Sequence, residues 1–215
     1  MKRFPVLILA VLVMSPAAFA DTTFYQQNWD GGTTSNCDMN TSACGSTGWI
    51  VYDGLNVPGH INALTGFTYV DQIVLGSWSD YKSTNWFLFG PNAPNPFGAP
   101  VASGTAQGTL TDLGGGYMMI AVTGLNLALT PANNFGWILG FQNNMSQDSD
   151  ITARAAGTPG DGIHWQTDNP KIDQVTYGGD TALSVIGSEI PEPSTLLMLG
   201  TGLIGGLGAL RRKLI

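Results

Sequence analysis

Basic residues are scarce in most of this chain. Between residues 21 and 190, three lysines and arginines stand against fourteen aspartates and glutamates, a net charge of −11. The other five basic residues lie at the two ends: Lys2, Arg3, Arg211, Arg212 and Lys213. Nucleic-acid binding depends on Lys and Arg contacts to phosphates, so this composition excludes nucleic acid as a partner. The acidic surplus is typical of a solvated extracellular domain, or of one that attracts cations.

Recognisable catalytic motifs are also missing. The sequence contains no Gly-x-Ser-x-Gly elbow, no His-Glu-x-x-His helix and no phosphate-binding loop. Its body has a single glutamate, Glu189, whereas a glycosidase needs two opposed carboxylates, and nothing distinguishes any pair of aspartates. His60 and His164 both lie near turn-type residues, and we expect each in a surface loop. The sequence therefore predicts a protein that is not an enzyme and carries no cofactor. The alternative is a hydrolase whose site is assembled from distant loops.

Helical periodicity is absent between residues 21 and 190, where short alternating or apolar runs are separated by Gly, Pro and Asn turns. Such a pattern predicts an all-β sandwich in a single domain spanning residues 21–186. Residues 187–193 are predicted to be a linker. The candidate strands are 67–75, 86–89, 108–113, 117–122, 125–129, 135–142, 151–155 and 182–186.

Only two cysteines occur, Cys37 and Cys44, within a polar loop. In an exported chain a disulfide between them is the default prediction. Because the closed loop is short, it would contribute only about 2–3 kcal/mol of stability. Free thiols and a metal site remain the alternatives.

Oxygen-rich and aromatic side chains suggest two binding hypotheses. Asp148 and Asp150 lie in a Ser-Gln-Asp-Ser-Asp run that could ligate calcium, joined by Asp161 and Asp168 only if their loops lie close. A solvated acidic turn is the alternative. The body also contains six tryptophans, and flat aromatic faces can stack on sugar rings. Trp29 and Trp165, flanked by polar turns, are the surface candidates, whereas Trp137 lies in an alternating strand and is predicted to be in the core.

The N-terminus has the features of a secretory signal peptide. Lys2 and Arg3 precede the apolar run Val6–Met14, and Ala18-Phe19-Ala20 is an A-x-A cleavage signal. Cleavage after Ala20 would remove residues 1–20. An uncleaved anchor is the alternative.

The C-terminus, residues 194–215, has a second apolar segment. Residues 196–210 would form a helix about 22 Å long, shorter than the ~30 Å core of a bilayer, and five glycines lower its hydrophobicity. Arg211, Arg212 and Lys213 follow, and such basic clusters stay cytoplasmic. The segment is therefore predicted to be a transmembrane stop-transfer helix that anchors poorly. Its Gly202–Gly206 pair could alternatively pack two tails together.

Together with this helix and its basic end, Pro191, Glu192, Pro193, Ser194 and Thr195 closely resemble the PEP-CTERM sorting signal. Two prolines keep this stretch extended and accessible. The resemblance implies export across the inner membrane of a Gram-negative bacterium that makes exopolysaccharide. It also implies transient insertion in that membrane and cleavage near Pro191–Pro193 by an exosortase, a membrane-embedded transpeptidase.

The body resembles the jelly-roll domains found in PEP-CTERM proteins. The resemblance rests on a Pro100–Gly104 loop, the alternating residues 125–140 and an Asp180-led final strand. Together the two resemblances imply an exported, non-enzymatic surface or biofilm-matrix protein associated with exopolysaccharide. A carbohydrate-binding jelly-roll module is the alternative.

Overall fold

The computed structural model describes residues 21–33, 49–93, 96–145, 149–155, 160, 162–167, 174–189, 200–202 and 206. Residues 21–192 form one compact unit, and residues 1–20 with 193–215 form a second. In the second unit, residues 200–202 and 206 are helical. Among the residues described, no helix combines the length and the apolar character needed to cross a membrane.

The body is built almost entirely of antiparallel strands, as the sequence predicted. In the described part of the body, the 3₁₀ turn Trp78–Asp80 interrupts them. The strands are β1 (Asp21–Gln26), β2 (Trp29–Thr33), β3 (Ile50–Val57), β4 (Ile61–Leu75), β5 (Tyr81–Phe89), β6 (Ala102–Ala106), β7 (Gly108–Gly114), β8 (Tyr117–Ala128), β9 (Ala132–Met145), β10 (Ser149–Ala155), β11 (Ile163–Thr167), β12 (Gln174–Gly178) and β13 (Leu183–Glu189).

Two sheets face each other in a jelly roll. The first contains the strands β1-β13-β4-β8-β7 in this order. β4 is longer than β13, and β10 pairs with the part of β4 that extends beyond β13, on the same edge of β4. β2 pairs in turn with β10. The second has the order β12-β11-β3-β9-β5-β6. Counted along the chain, the eight strands β1, β3, β4, β5, β6, β8, β9 and β13 pair as 1-8-3-6 in one sheet and 2-7-4-5 in the other. This is the double Greek-key order of a jelly roll, so the predicted fold is confirmed.

The main core lies between the sheets. The rings of Phe67 and Tyr69 from β4 stack with centroids 5.9 Å apart. The Tyr69 ring also stacks on Phe141 from β9, at 4.3 Å. The same cluster also contains Val51, Leu55, Ile120, Val122, Trp137, Leu139 and Val185. Each large apolar side chain buried here stabilises the fold by about 1.5–3 kcal/mol. The prediction that Trp137 belongs to the core is confirmed.

A second cluster covers the outer face of the second sheet. It consists of Ile50, Tyr52, Phe89, Ile138 and Trp165, with Ala93 and Phe97 packed over them. Since β3 is therefore buried on both faces, its residues do not alternate between apolar and polar. That is why sequence periodicity did not identify this central strand.

Several strands are longer than predicted; β4, β5 and β9, for example, begin three to six residues before the predicted 67–75, 86–89 and 135–142. Residues 117–122 and 125–129 were predicted as separate strands, but a single strand, β8, runs through both. Pairing of β13 continues to Glu189, opposite Ile61. The strand thus includes the first three residues of the predicted 187–193 linker.

Candidate functional site

A shallow cleft opens on the outer face of the first sheet, where β1 ends and β2 begins. Along β4, Phe67 and Tyr69 point into the core, so the alternating Thr68 and Val70 point outward. Val70 and Ala182 form an apolar floor with Met119 from β8 beside them. The cleft has a volume of about 230 Å³.

Trp29 forms one end of the cleft and is held in position by its own contacts. Its indole N–H donates to the Gly32 carbonyl oxygen at 2.9 Å. Its ring lies 4.4 Å from that of Tyr117, tilted by 43°. The side chain remains partly exposed. Trp29 therefore presents a fixed aromatic surface to the cleft.

Uncharged polar groups line the remaining sides. The Gln26 amide nitrogen donates to the Asn28 side-chain oxygen at 2.7 Å, and both residues border the cleft. Thr68 and Ser184, directly opposite each other on β4 and β13, contribute hydroxyls. None of the described residues that line the cleft is an Asp, Glu, Lys, Arg or His. This arrangement suits a neutral ligand rich in hydroxyl groups.

Trp165, the other tryptophan predicted at the surface, is buried. It is 7% exposed and packs within the cluster on the outer face of the second sheet. The expectation of an exposed Trp165 is therefore wrong, because Ala93 and Phe97 pack against the cluster on the sheet face from which this side chain projects. No local feature of the sequence indicates that Trp165 is covered in this way.

The two histidines occupy different environments. His60 is exposed in the turn between β3 and β4, as predicted. His164 is fully buried in β11, so its placement in a surface loop is wrong. Its Nδ1 lies 2.7 Å from the Gly179 carbonyl oxygen, which can only accept, so Nδ1 carries the proton. Burial lowers the pKa of His164, opposed by the Gly179 hydrogen bond and by the nearby Asp180.

Near His164, a buried polar network joins the two sheets. Both the backbone amide and the hydroxyl of Thr181 donate to Asp53 Oδ2, at 2.8 and 2.7 Å. With its amide oriented to match its neighbours, Gln27 donates to the Thr181 carbonyl oxygen at 2.7 Å. The Gly162 amide donates to Asp180 Oδ1 at 2.9 Å. Hydrogen bonding of this kind offsets the cost of burying carboxyl groups, which is a structural role.

A second network crosses the sandwich from β4. The Tyr69 hydroxyl contacts Thr84 Oγ1 at 2.6 Å and donates to the Asn143 side-chain oxygen. Asn143 in turn donates to Asp71 Oδ2 at 2.7 Å, and Tyr81 lies 2.9 Å from the Thr84 hydroxyl. Burial raises the pKa of Tyr81, opposed by its hydrogen bonds to Thr84 and Gly108. The polar atoms of this network are engaged with one another rather than directed at solvent.

The cysteine and calcium hypotheses fall mainly outside the described residues. Cys37 and Cys44 lie there, so their disulfide stays a prediction. Asp148, Asp161 and Asp168 also lie there, and only the backbone of Asp150 is described, opposite Ile73. In the described part of the chain, no group of three or more His, Cys, Asp or Glu residues is placed to hold a metal ion.

The sorting residues lie beyond β13. Pro191, Glu192, Pro193, Ser194 and Thr195, like Arg211, Arg212 and Lys213, are outside the described residues. Residues 189–213 match the PEP-CTERM protein-sorting motif. The predicted resemblance of the tail is thereby confirmed. The PEP-CTERM motif indicates an exported protein with a membrane-anchored precursor that an exosortase processes. Neither a curated protein nor a solved structure matches the chain.

The residues around the cleft were missed by sequence reasoning, apart from Trp29. Gln26, Thr68, Met119 and Ser184 come from four strands and are separated by up to 158 positions, between residues 26 and 184. Each is an ordinary strand residue in its local context. Only the jelly-roll pairing brings them onto one surface.

Proposed function

We propose that this protein is an exported, non-enzymatic component of the bacterial surface or biofilm matrix, released from its membrane precursor by exosortase and associated with exopolysaccharide. The PEP-CTERM match at residues 189–213 carries the proposal. The motif directly follows a compact β-sandwich. This order supports a folded body that is exported and then separated from its tail.

Two parts of the tail have separate roles: one is recognised by the enzyme, and the other retains the precursor in the membrane. Pro191 and Pro193 exclude helix and sheet, which leaves Glu192 in an extended segment that an enzyme can bind. Arg211, Arg212 and Lys213 hold the far end of the apolar segment on the cytoplasmic side of the inner membrane. β13 ends at Glu189, so the sandwich reaches to within two residues of the Pro-Glu-Pro stretch.

The test identifies the C-terminal peptide of the protein recovered from the cell surface or medium of the native host. Mass spectrometry should find no peptide from residues 196–215 on this material. Replacing Glu192 with Ala should block release, so that full-length protein accumulates in the inner membrane, because the apolar segment itself is unchanged.

Glu189→Ala is the matched control, since Glu189 is the other glutamate of the chain and lies in β13 rather than between the prolines. It should be released normally. An intact tail on surface protein, or normal release of Glu192→Ala, would contradict exosortase processing. Neutral replacements of Arg211, Arg212 and Lys213 should instead weaken retention of the precursor in the membrane.

The cleft beside Trp29 favours a second candidate function, that of a carbohydrate-binding module. Its fixed aromatic ring and amide and hydroxyl lining are the groups that bind sugars. This function is compatible with a matrix role, because a protein that binds glycan is retained where the exopolysaccharide is.

A further inference from the structure

We propose that the cleft beside Trp29 is a binding subsite for one uncharged sugar unit of a polysaccharide. The inference rests on the proposed association with exopolysaccharide. It adds the place of contact, the residues that make it and the charge of the ligand.

The size and position of the cleft suit a single ring of a polymer. Its volume of about 230 Å³ is below the ~300–1,000 Å³ typical of sites for drug-sized ligands. The cleft lies on the outward face of the first sheet, over Val70 and Ala182. Since Gln26, Asn28 and Leu113 around the cleft are exposed, the neighbouring units of a chain can extend past them while one unit occupies the cleft.

Trp29 is positioned to contact the apolar face of a sugar ring. Because its N–H is bound to the Gly32 carbonyl oxygen and its ring packs against Tyr117, the side chain loses little freedom when a ligand arrives. Preorganisation of this kind raises affinity by reducing the entropy lost on binding. The apolar floor at Val70 and Met119 provides a further surface for C–H groups.

The polar groups match sugar hydroxyls, which both donate and accept hydrogen bonds. An amide offers two N–H donors and a carbonyl acceptor, and the hydroxyls of Thr68 and Ser184 do both. The bond between Gln26 and Asn28 orients these two amides relative to each other at the rim.

Charge selects the class of sugar. Among the residues that the structure describes, no lysine, arginine or histidine lines the cleft to pair with a uronate or sulfate group, and the body between residues 21 and 190 has fourteen acidic residues against three basic ones. An anionic polymer would therefore meet net repulsion without a compensating ion pair. The ligand consistent with this surface is uncharged.

The first experiment measures binding of oligosaccharides to the full chain in a detergent without a sugar headgroup. The probes are neutral hexasaccharides of glucose, galactose and mannose, a hexasaccharide of galacturonate, and the exopolysaccharide of the native host. We expect saturable binding to the host polymer or to at least one neutral hexasaccharide, and none to the galacturonate. Binding to no probe, or preference for galacturonate, would overturn the inference.

The second experiment compares variants on the probe that binds. Trp29→Ala should weaken binding at least about tenfold, as expected for loss of an aromatic anchor. Ser184→Tyr should also abolish binding by filling the cleft from β13, with a residue that strands accommodate well. Because it leaves Trp29 in place, Ser184→Tyr decides the matter even if Trp29→Ala does not fold.

Leu113 and Val101 provide a matched pair. Both are large apolar residues at the surface, 40% and 59% exposed, but only Leu113 lines the cleft. Leu113→Ala should weaken binding and Val101→Ala should not. The inference would be overturned if the Leu113→Ala and Val101→Ala variants bound with equal affinity and the Ser184→Tyr variant bound as well as the natural chain.

The host exopolysaccharide separates the two levels of failure. If it retains the natural chain and all cleft variants equally, the association stands and the cleft is not the site. If it does not retain the natural chain at all, the proposed association with exopolysaccharide fails as well. Neither result depends on how the C-terminal tail is processed.

Discussion

His164 links the stability of the sandwich to pH. It is fully buried, lies opposite Asp53 across β11 and β3, and is bound to the Gly179 carbonyl oxygen. Burial holds its pKa below the usual 6.5, against the raising effects of that hydrogen bond and of Asp180. The unfolded chain therefore binds a proton more readily at this position than the folded chain does.

The expected result is a loss of stability as pH falls. Well above pH 6.5 His164 is neutral in both states and has no effect on the pH dependence. Below that value the unfolded state takes up the proton first, so the free energy of unfolding falls by up to ~1.4 kcal/mol per pH unit until the folded pKa is reached. Urea unfolding of the natural chain and of His164→Gln from pH 8 to 5 should show a shallower decline in the variant.

His60→Gln is the control, because His60 is exposed in a turn. It should leave the pH profile unchanged. Asp53 and Asp180 remain in both variants, so any effect of these two carboxyl groups on stability is common to all three chains. A His164→Gln profile parallel to that of the natural chain would rule out the assigned role of His164.

At the scale of single elements, β9 shows why a strand needs glycine opposite an aromatic residue. Gly140 pairs directly with Tyr52 of β3, and a Cβ at Gly140 would lie 2.3 Å from the Tyr52 ring. The Tyr52 hydroxyl lies 3.0 Å from that of Thr167, and burial raises its pKa to about 12. The ring is thus held over the glycine and cannot move aside easily.

Gly140→Ala should therefore destabilise the body by about 1–3 kcal/mol, the usual cost of overpacking. Gly59→Ala is the control, since nothing lies within 4 Å of a Cβ at that turn position. Denaturant unfolding of the two variants measures the difference. Equal stability of Gly140→Ala and the natural chain would show that the second sheet rearranges without cost.

At the scale of the whole molecule, the last strand closes the jelly roll. β13 lies between β1 and β4, and it buries Leu183 and Val185 in the core. Residues 21–192 form a compact unit by themselves. The body should therefore tolerate loss of the tail but not loss of β13.

Two truncations test this dependence. A chain of residues 21–192 should keep a β-type far-UV circular dichroism spectrum, with Tm within about 2 °C of the full chain, since a change of 1 kcal/mol shifts Tm by ~2–4 °C at this size. A chain ending at Asp180 should fail to unfold cooperatively. A large loss of Tm in the first truncation, or a cooperative transition in the second, would contradict the division.

The strand pattern was predictable where apolar residues alternate with small or polar ones, or form a short run between turns. Residues 108–113 and 151–155 were predicted within a residue or two of β7 and β10. β3 and β11 were missed because both faces of β3 are covered and β11 is short and bordered by turn residues. Sequence periodicity reports a contrast between alternate residues, which β9 retains through Gly136, Gly140 and Gln142 although both of its faces are buried, whereas β3 has no regular contrast.

The sequence by itself determined the PEP-CTERM tail, because its parts are contiguous and act through local properties: proline geometry, apolar length and basic charge. It also determined the all-β class through alternation and turn residues. Only the tertiary structure decided that Trp29 lines a cleft while Trp165 is buried. Both tryptophans lie among polar neighbours in the sequence. What covers each of them comes from strands and loops far along the chain, and these meet only when the two sheets close.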